Sequence, residues 1–145
     1  MLVGVNMNIS VIDASNYFKG LLLLIRKDRK VTEPEVQLMK RIGKSLHFES
    51  EFCENAIREI LENAFIVDAP TEFSSKELAI KFIKDGLAIA IADSDLHPSE
   101  EGWLRSTAEK NGLEETWFRQ EVAKATGRKQ LPSRLEVEDL TVLYS

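Results

Sequence analysis

The sequence predicts an all-α domain, and three observations carry that reading. The first is the stretch from Gly86 to Glu101, GLAIAIADSDLHPSEE, which opens as the most apolar run of the chain and closes in a cluster of acids. The second is a weaker copy of the same pattern 65 residues earlier, from Leu21 to Glu35. The third is composition. Leu, Ile, Ala and Glu are common, and only four prolines and seven glycines interrupt 145 residues, enough chain for one domain with a single core.

The run from Leu78 to Ala92 is apolar apart from Lys81, Lys84, Asp85 and Gly86, and Ser74 with Glu77 supplies an S-x-x-E start signal. A helix apolar nearly all round is a buried central helix. It is not a membrane span. Fifteen residues at about 1.5 Å rise reach about 22 Å, short of the roughly 30 Å hydrocarbon core, and Lys81, Lys84 and Asp85 are costly in lipid. The helix should end near Asp93. His97-Pro98-Ser99-Glu100 opens the next one, with Trp103, Leu104 and Thr107 on one face and a stop at Asn111-Gly112.

The remaining elements follow in order. Residues 1–12 are apolar but short and read as a tail packed on the body or a frayed first helix. Asp13 is the expected cap of a helix from Ala14 to about Lys27, with Tyr17, Phe18, Leu21, Leu22, Leu24 and Ile25 at helical spacing. Thr32-Glu33-Pro34-Glu35 is a capping-box signature that starts a helix carrying Val36, Leu38, Met39, Ile42 and Leu46. A helix from about Ser50 to Ile66 turns Phe52, Cys53, Ala56, Ile57 and Ile60 inward, and Asp68-Ala69-Pro70-Thr71 breaks the pattern. A last helix from Glu114 to Ala125 ends at Gly127. The ending LEVEDLTVLYS alternates partly like a strand. With no evident strand to pair with, it reads as an extended or short helical tail covering the core.

Charge and motifs exclude several functions. A net charge of −5 argues against a large phosphate-binding surface, so no nucleic-acid partner is expected. The lone Cys53 fits a reducing compartment, and MLVGVNMNIS lacks the basic flank and long apolar core of a signal peptide, so a cytoplasmic location is expected. No nucleophile triad, Gly-rich phosphate loop or H-E-x-x-H accompanies the acids, which argues against an enzyme. DSDLHPSEE fails as an EF-hand, because Pro98 stands where the loop needs glycine and Leu104 where it needs glutamate. His47 and His97 have no cysteine or second histidine at zinc-ligand spacing.

Aligning FKGLLLLIRKDRKVTEPE with IKDGLAIAIADSDLHPSE puts Phe18 on Ile83, Lys19 on Lys84, Asp28 on Asp93, Val31 on Leu96 and Glu35 on Glu100. Both copies contain D-x-x-Φ-x-x-x-E, with Φ aliphatic, across a helix–turn–helix junction. Two copies are too few for a solenoid and fit a pseudo-twofold helical domain. These residues carry a resemblance to the TerB-like family, related to the tellurite-resistance protein TerB, over roughly Tyr17 to Ala125. That family has an alanine-rich helix, an A-D-G turn, an aliphatic residue and a glutamate in each half. IADSDLHPSEE matches well and KDRKVTEPE less well, with Arg29 and Ser94 in place of the glycine and Arg26 and Lys27 in place of the alanines.

The resemblance implies about seven helices in two pseudo-symmetric halves spanning residues 17–66 and 74–125, with a tail at 128–145. It also implies a non-catalytic domain that binds a divalent cation, a protein partner, or both, in stress-response or membrane-associated assemblies. The metal ligands implied are Asp28, Glu35, Asp93 and Glu100, with Asp95 assisting. The residues themselves leave a second reading open. Glutamates at the third helical position complete capping boxes and aspartates in turns bond nearby N–H groups. The chain would then be a metal-free interaction module whose apolar groove receives a partner helix.

Overall fold

The computed structural model describes residues 6–27, 31–63, 65–92, 96–128 and 131–144. Two helices buried along most of their length, α1 (Val11–Arg26) and α4 (Lys76–Ala92), meet at the centre. The Tyr17 ring stands edge-on to Phe82 with centroids 5.3 Å apart. Gly20 lets the helices come this close, since a Cβ there would lie 2.8 Å from the Phe82 ring. Each central helix is followed by two shorter ones that pack on it: α2 (Glu33–Ser45) and α3 (Ser50–Glu62) on α1, α5 (Pro98–Lys110) and α6 (Glu115–Arg128) on α4. Six α-helices and one 3₁₀ turn (Glu136–Asp139) are thus present among the described residues, close to the count the resemblance implies.

The internal repeat is realised residue by residue. Every helix of the first half starts 65 residues before its counterpart: Val11 and Lys76, Glu33 and Pro98, Ser50 and Glu115. The turns between helices repeat as well. The Phe48 N–H donates to the Gly43 carbonyl at 2.9 Å, and the Leu113 N–H donates to the Ala108 carbonyl at 2.9 Å. Between those bonds sit the two left-handed residues of the described chain, His47 (φ 61°) and Gly112 (φ 75°), again at equivalent positions. This is the usual way to stop a helix by satisfying its last carbonyls.

The chain ends depart from expectation. Residues 7–10 are neither a tail nor a helix turn. They form a strand, β1 (Met7–Ser10), that pairs in parallel with β2 (Leu140–Leu143) in the register Met7 to Leu140 and Ser10 to Leu143. The partial alternation of the C-terminal segment therefore is a strand pattern, with Leu140 and Val142 buried and Thr141 and Leu143 exposed. Its partner escaped the sequence reading because the whole helical body lies between the two strands. Caps shift too. Ser10, not Asp13, caps α1, and its hydroxyl accepts from the Asp13 N–H at 3.1 Å. Asp13 instead reaches across to Ser74, bonding its N–H and hydroxyl. That leaves Ser75 to accept from the Leu78 N–H at the start of α4. Helix α3 ends at Glu62 rather than Ile66, because Asn63 turns extended and its side chain accepts from the Phe65 N–H. No described helix is long and apolar enough to cross a membrane.

The paired C-terminal turns generate a prediction. A non-glycine residue in the left-handed region is strained, and Gly112 shows the unstrained solution at the equivalent position. His47→Gly should stabilise the protein by about 0.5–1 kcal/mol, measured by urea unfolding, while Gly112→Ala should destabilise it by a similar amount. Loss of stability in His47→Gly would show that the imidazole makes up for the strain.

Candidate functional site

The two acidic turns of the repeat are built alike. At the start of α2, Thr32 Oγ1 accepts from the Glu35 N–H at 3.3 Å and Glu35 Oε1 accepts from the Thr32 N–H at 2.9 Å. At the start of α5, Glu100 Oε1 accepts from the His97 N–H at 3.0 Å, while His97 Nδ1 accepts from the Ser99 N–H at 3.2 Å. Both glutamates therefore close capping boxes. Asp28, Asp93 and Asp95 lie outside the described residues. Among the described residues no three His, Cys, Asp or Glu side chains are gathered to hold a metal ion. Lys27, one of the cations flanking Asp28, is bonded to Asp68, whose carboxyl is held below its usual range chiefly by that bond. The Asp68 carbonyl in turn accepts from the Trp103 indole N–H at 2.7 Å.

A second polar site was not singled out. Asp85, on α4, is 1% exposed. Its Oδ2 accepts from the Tyr17 hydroxyl at 2.6 Å and from the Val137 N–H at 2.9 Å, and its Oδ1 accepts from the Glu136 N–H at 2.7 Å. One carboxyl thereby joins α1, α4 and the 3₁₀ turn. Burial pushes its pKa from 3.8 up to about 7, against the pull of these three donors. The same burial, reinforced by Asp85, drives the Tyr17 hydroxyl well above its ordinary value. The sequence did carry a signal, since an acid standing inside an otherwise apolar helix must be paired or functional.

Two of the concavities among the described residues occupy equivalent places in the repeat. One, of about 290 Å³, lies between α1 and α3 and is lined by Lys19, Phe52, Ala56, Glu59, Ile60 and Ile66. The other, of about 550 Å³, lies between α4 and α6 under the C-terminal segment. Lys19 and Lys84 correspond, as do Ala56 and Glu121, and Glu59 and Lys124. The same cleft is therefore mainly apolar in the first half, with Lys19 and Glu59 at its edge, and mainly charged in the second. Beside the first cleft, Phe65 is 92% exposed and Val67 78%, flanking the lining residue Ile66. Comparison with known protein families, curated proteins and solved structures finds no match for this chain.

The Asp85 site predicts a pH dependence with a defined sign. Between 3.8 and about 7 the folded protein keeps the proton on Asp85 while the unfolded chain has released it. Stability from this group is complete below that window and is lost as pH rises through it, by at most about 1.4 kcal/mol per pH unit. Asp85→Asn should flatten this part of the urea-unfolding profile. It should also cost about 1–3 kcal/mol at pH 5, because the amide NH₂ faces an N–H or hydroxyl donor. An unchanged slope in the variant would place the titration elsewhere.

Proposed function

We propose that this chain is a non-catalytic, TerB-like helical domain that works by holding a protein partner, in the setting of stress-response or membrane-associated assemblies. The observation that carries the binding part is the apolar groove between α1 and α3, walled by Phe52, Ala56, Ile60 and Ile66 and bordered by the exposed Phe65 and Val67. Large apolar side chains standing in water next to a groove mark an interaction surface. Lys19, Asn55 and Glu59 give that groove a polar rim, as a groove for an amphipathic helix requires. The TerB-like part is supported by the 65-residue offset that relates helices, caps and left-handed turns. The buried, unpaired Cys53 supports a reducing, cytoplasmic setting.

The divalent cation is the second reading. It is favoured by one observation, the equivalent placement of Glu35 and Glu100 in two turns that also carry Asp28 and Asp93. The capping boxes favour the first reading for the glutamates, since each spends an oxygen on a backbone N–H.

Two experiments separate these readings. In the first, chelator-treated protein is melted with calcium, magnesium, manganese or zinc added in turn. A bound cation at about 100 times its Kd raises stability by about 2.7 kcal/mol, and Asp93→Ala removes the rise. On the capping reading no cation shifts the melt, and Thr32→Ala lowers stability by about 0.5–2 kcal/mol with or without metal. In the second, wild type and Phe65→Ser/Val67→Ser are compared as baits in native extract. The partner held by wild type should be lost from the double variant, whose melting temperature stays within about 2 °C because both side chains are exposed. Equal retention by both baits would remove the groove from the proposal.

A further inference from the structure

We propose that the cleft between α4 and α6 is a binding site for a small phosphoryl-bearing anion. Four cationic side chains from three elements face it: Lys84 of α4, Lys124 and Arg128 of α6, and Arg134 of the C-terminal segment. Its volume of about 550 Å³ suits a small molecule. The three acids of the lining, Asp85, Glu121 and Glu136, do not account for all four cations. Glu121 is bonded to Lys124 at 3.1 Å, and Arg134 is bonded to Asp139 at 2.6 Å. Both oxygens of Asp85 are turned to Tyr17 and to the 136 and 137 N–H groups. Glu136 is the one lining acid without such a bond, and Lys84 and Arg128 have no ion-pair partner among the described residues. A chain of net charge −5 thus holds two unpaired cations and two more beside them in one concavity.

The repeat shows what is particular to this cleft. At the equivalent positions of the first half, Glu59 stands for Lys124 and Asn63 for Arg128, and only Lys19 for Lys84 keeps its sign. At the wall of a concavity both halves possess, the second half thus replaces Glu59 by a lysine and Ala56 by Glu121, and it adds Arg128 to the lining. Arginine and lysine together favour phosphoryl oxygens, the guanidinium by a two-pronged bond and the ammonium as a compact charge. The shallow apolar part of the lining, Ala88 and Pro132, leaves room for a small organic body beside the anionic group.

The probe is inorganic pyrophosphate, titrated calorimetrically into the full chain at low salt. Wild type should bind it, with affinity falling as salt rises. Lys84→Gln/Arg128→Gln should weaken binding at least about tenfold, because each loses a charge-assisted hydrogen bond. Arg128→Gln alone, at the exposed last turn of α6, should give a smaller loss with an unchanged unliganded melt. Lys81→Gln, on the same helix as Lys84 but outside the cleft, should bind as wild type does. Absence of binding, or equal weakening by Lys81→Gln, overturns the site. Retention on vesicles bearing phosphoinositide headgroups without pyrophosphate binding would overturn the small-molecule assignment in favour of a membrane headgroup.

Discussion

The buried carboxyl of Asp85 is the constraint on which the rest of the structure depends. Removing a carboxylate from water costs several kcal/mol unless it is bonded from the protein side. Here the Tyr17 hydroxyl and two backbone N–H groups supply those bonds, and they come from α1 and from the start of the 3₁₀ turn. None of the three elements can move alone without leaving a buried polar group without its partner. Leu135 and Val137, on either side of Glu136, are buried in the same core, so the polar link also fixes where the C-terminal segment enters it. From there the chain runs directly into β2 and pairs with β1, which leads into α1. The carboxyl and the two-stranded sheet therefore hold the C-terminal segment at two points, the first on α4 and the second beside α1.

This link is also where the two halves differ most. Asp85 occupies the position that Gly20 has in the first half. At the contact between the central helices, Tyr17 meets Asp85 while Gly20 meets Phe82, so the two equivalent contacts are filled by a polar pair and by a close apolar approach. A second acid in place of Gly20 would collide with the Phe82 ring. The asymmetry gives the C-terminal segment a single docking place, on the second half. The turns, by contrast, keep their chemistry: Thr32 with Glu35 and His97 with Glu100 solve the same problem of unsatisfied helix N–H groups in the same way.

How much of this was legible in the sequence follows from the range of each interaction. Helices were legible because periodicity and caps act over three or four residues, and the repeat was legible because it is a comparison of the chain with itself. The boundary at Ser10 and the cap at Ser75 were missed because Asp13 and Ser74 looked like caps but bond each other across 61 residues. The strand pair was missed because half of its pattern, MNIS, is too short to read and its partner lies at the far end of the chain. Of the four expected ligands, Glu35 and Glu100 were correctly placed at helix starts, where the capping bonds are local. The role of Asp85 depends on Tyr17 and on the backbone of residues 136 and 137, and nothing local to Asp85 names those partners.

Net charge is a sum over the chain, whereas a cleft responds to the arrangement of charges around it. A net charge of −5 disfavours an extended phosphate-binding surface, but it says little about one cleft. Exposed charges more than about 8 Å apart are largely screened at physiological ionic strength, so the field in a concavity is set by the side chains that line it. The first half presents its cleft with Phe52, Ala56 and Ile60, while the second presents the equivalent cleft with Glu121, Lys124 and Arg128. One backbone arrangement, used twice, thus presents two clefts of different charge. It does so by side-chain choice on α3 and α6, without any change in how α1 and α4 pack.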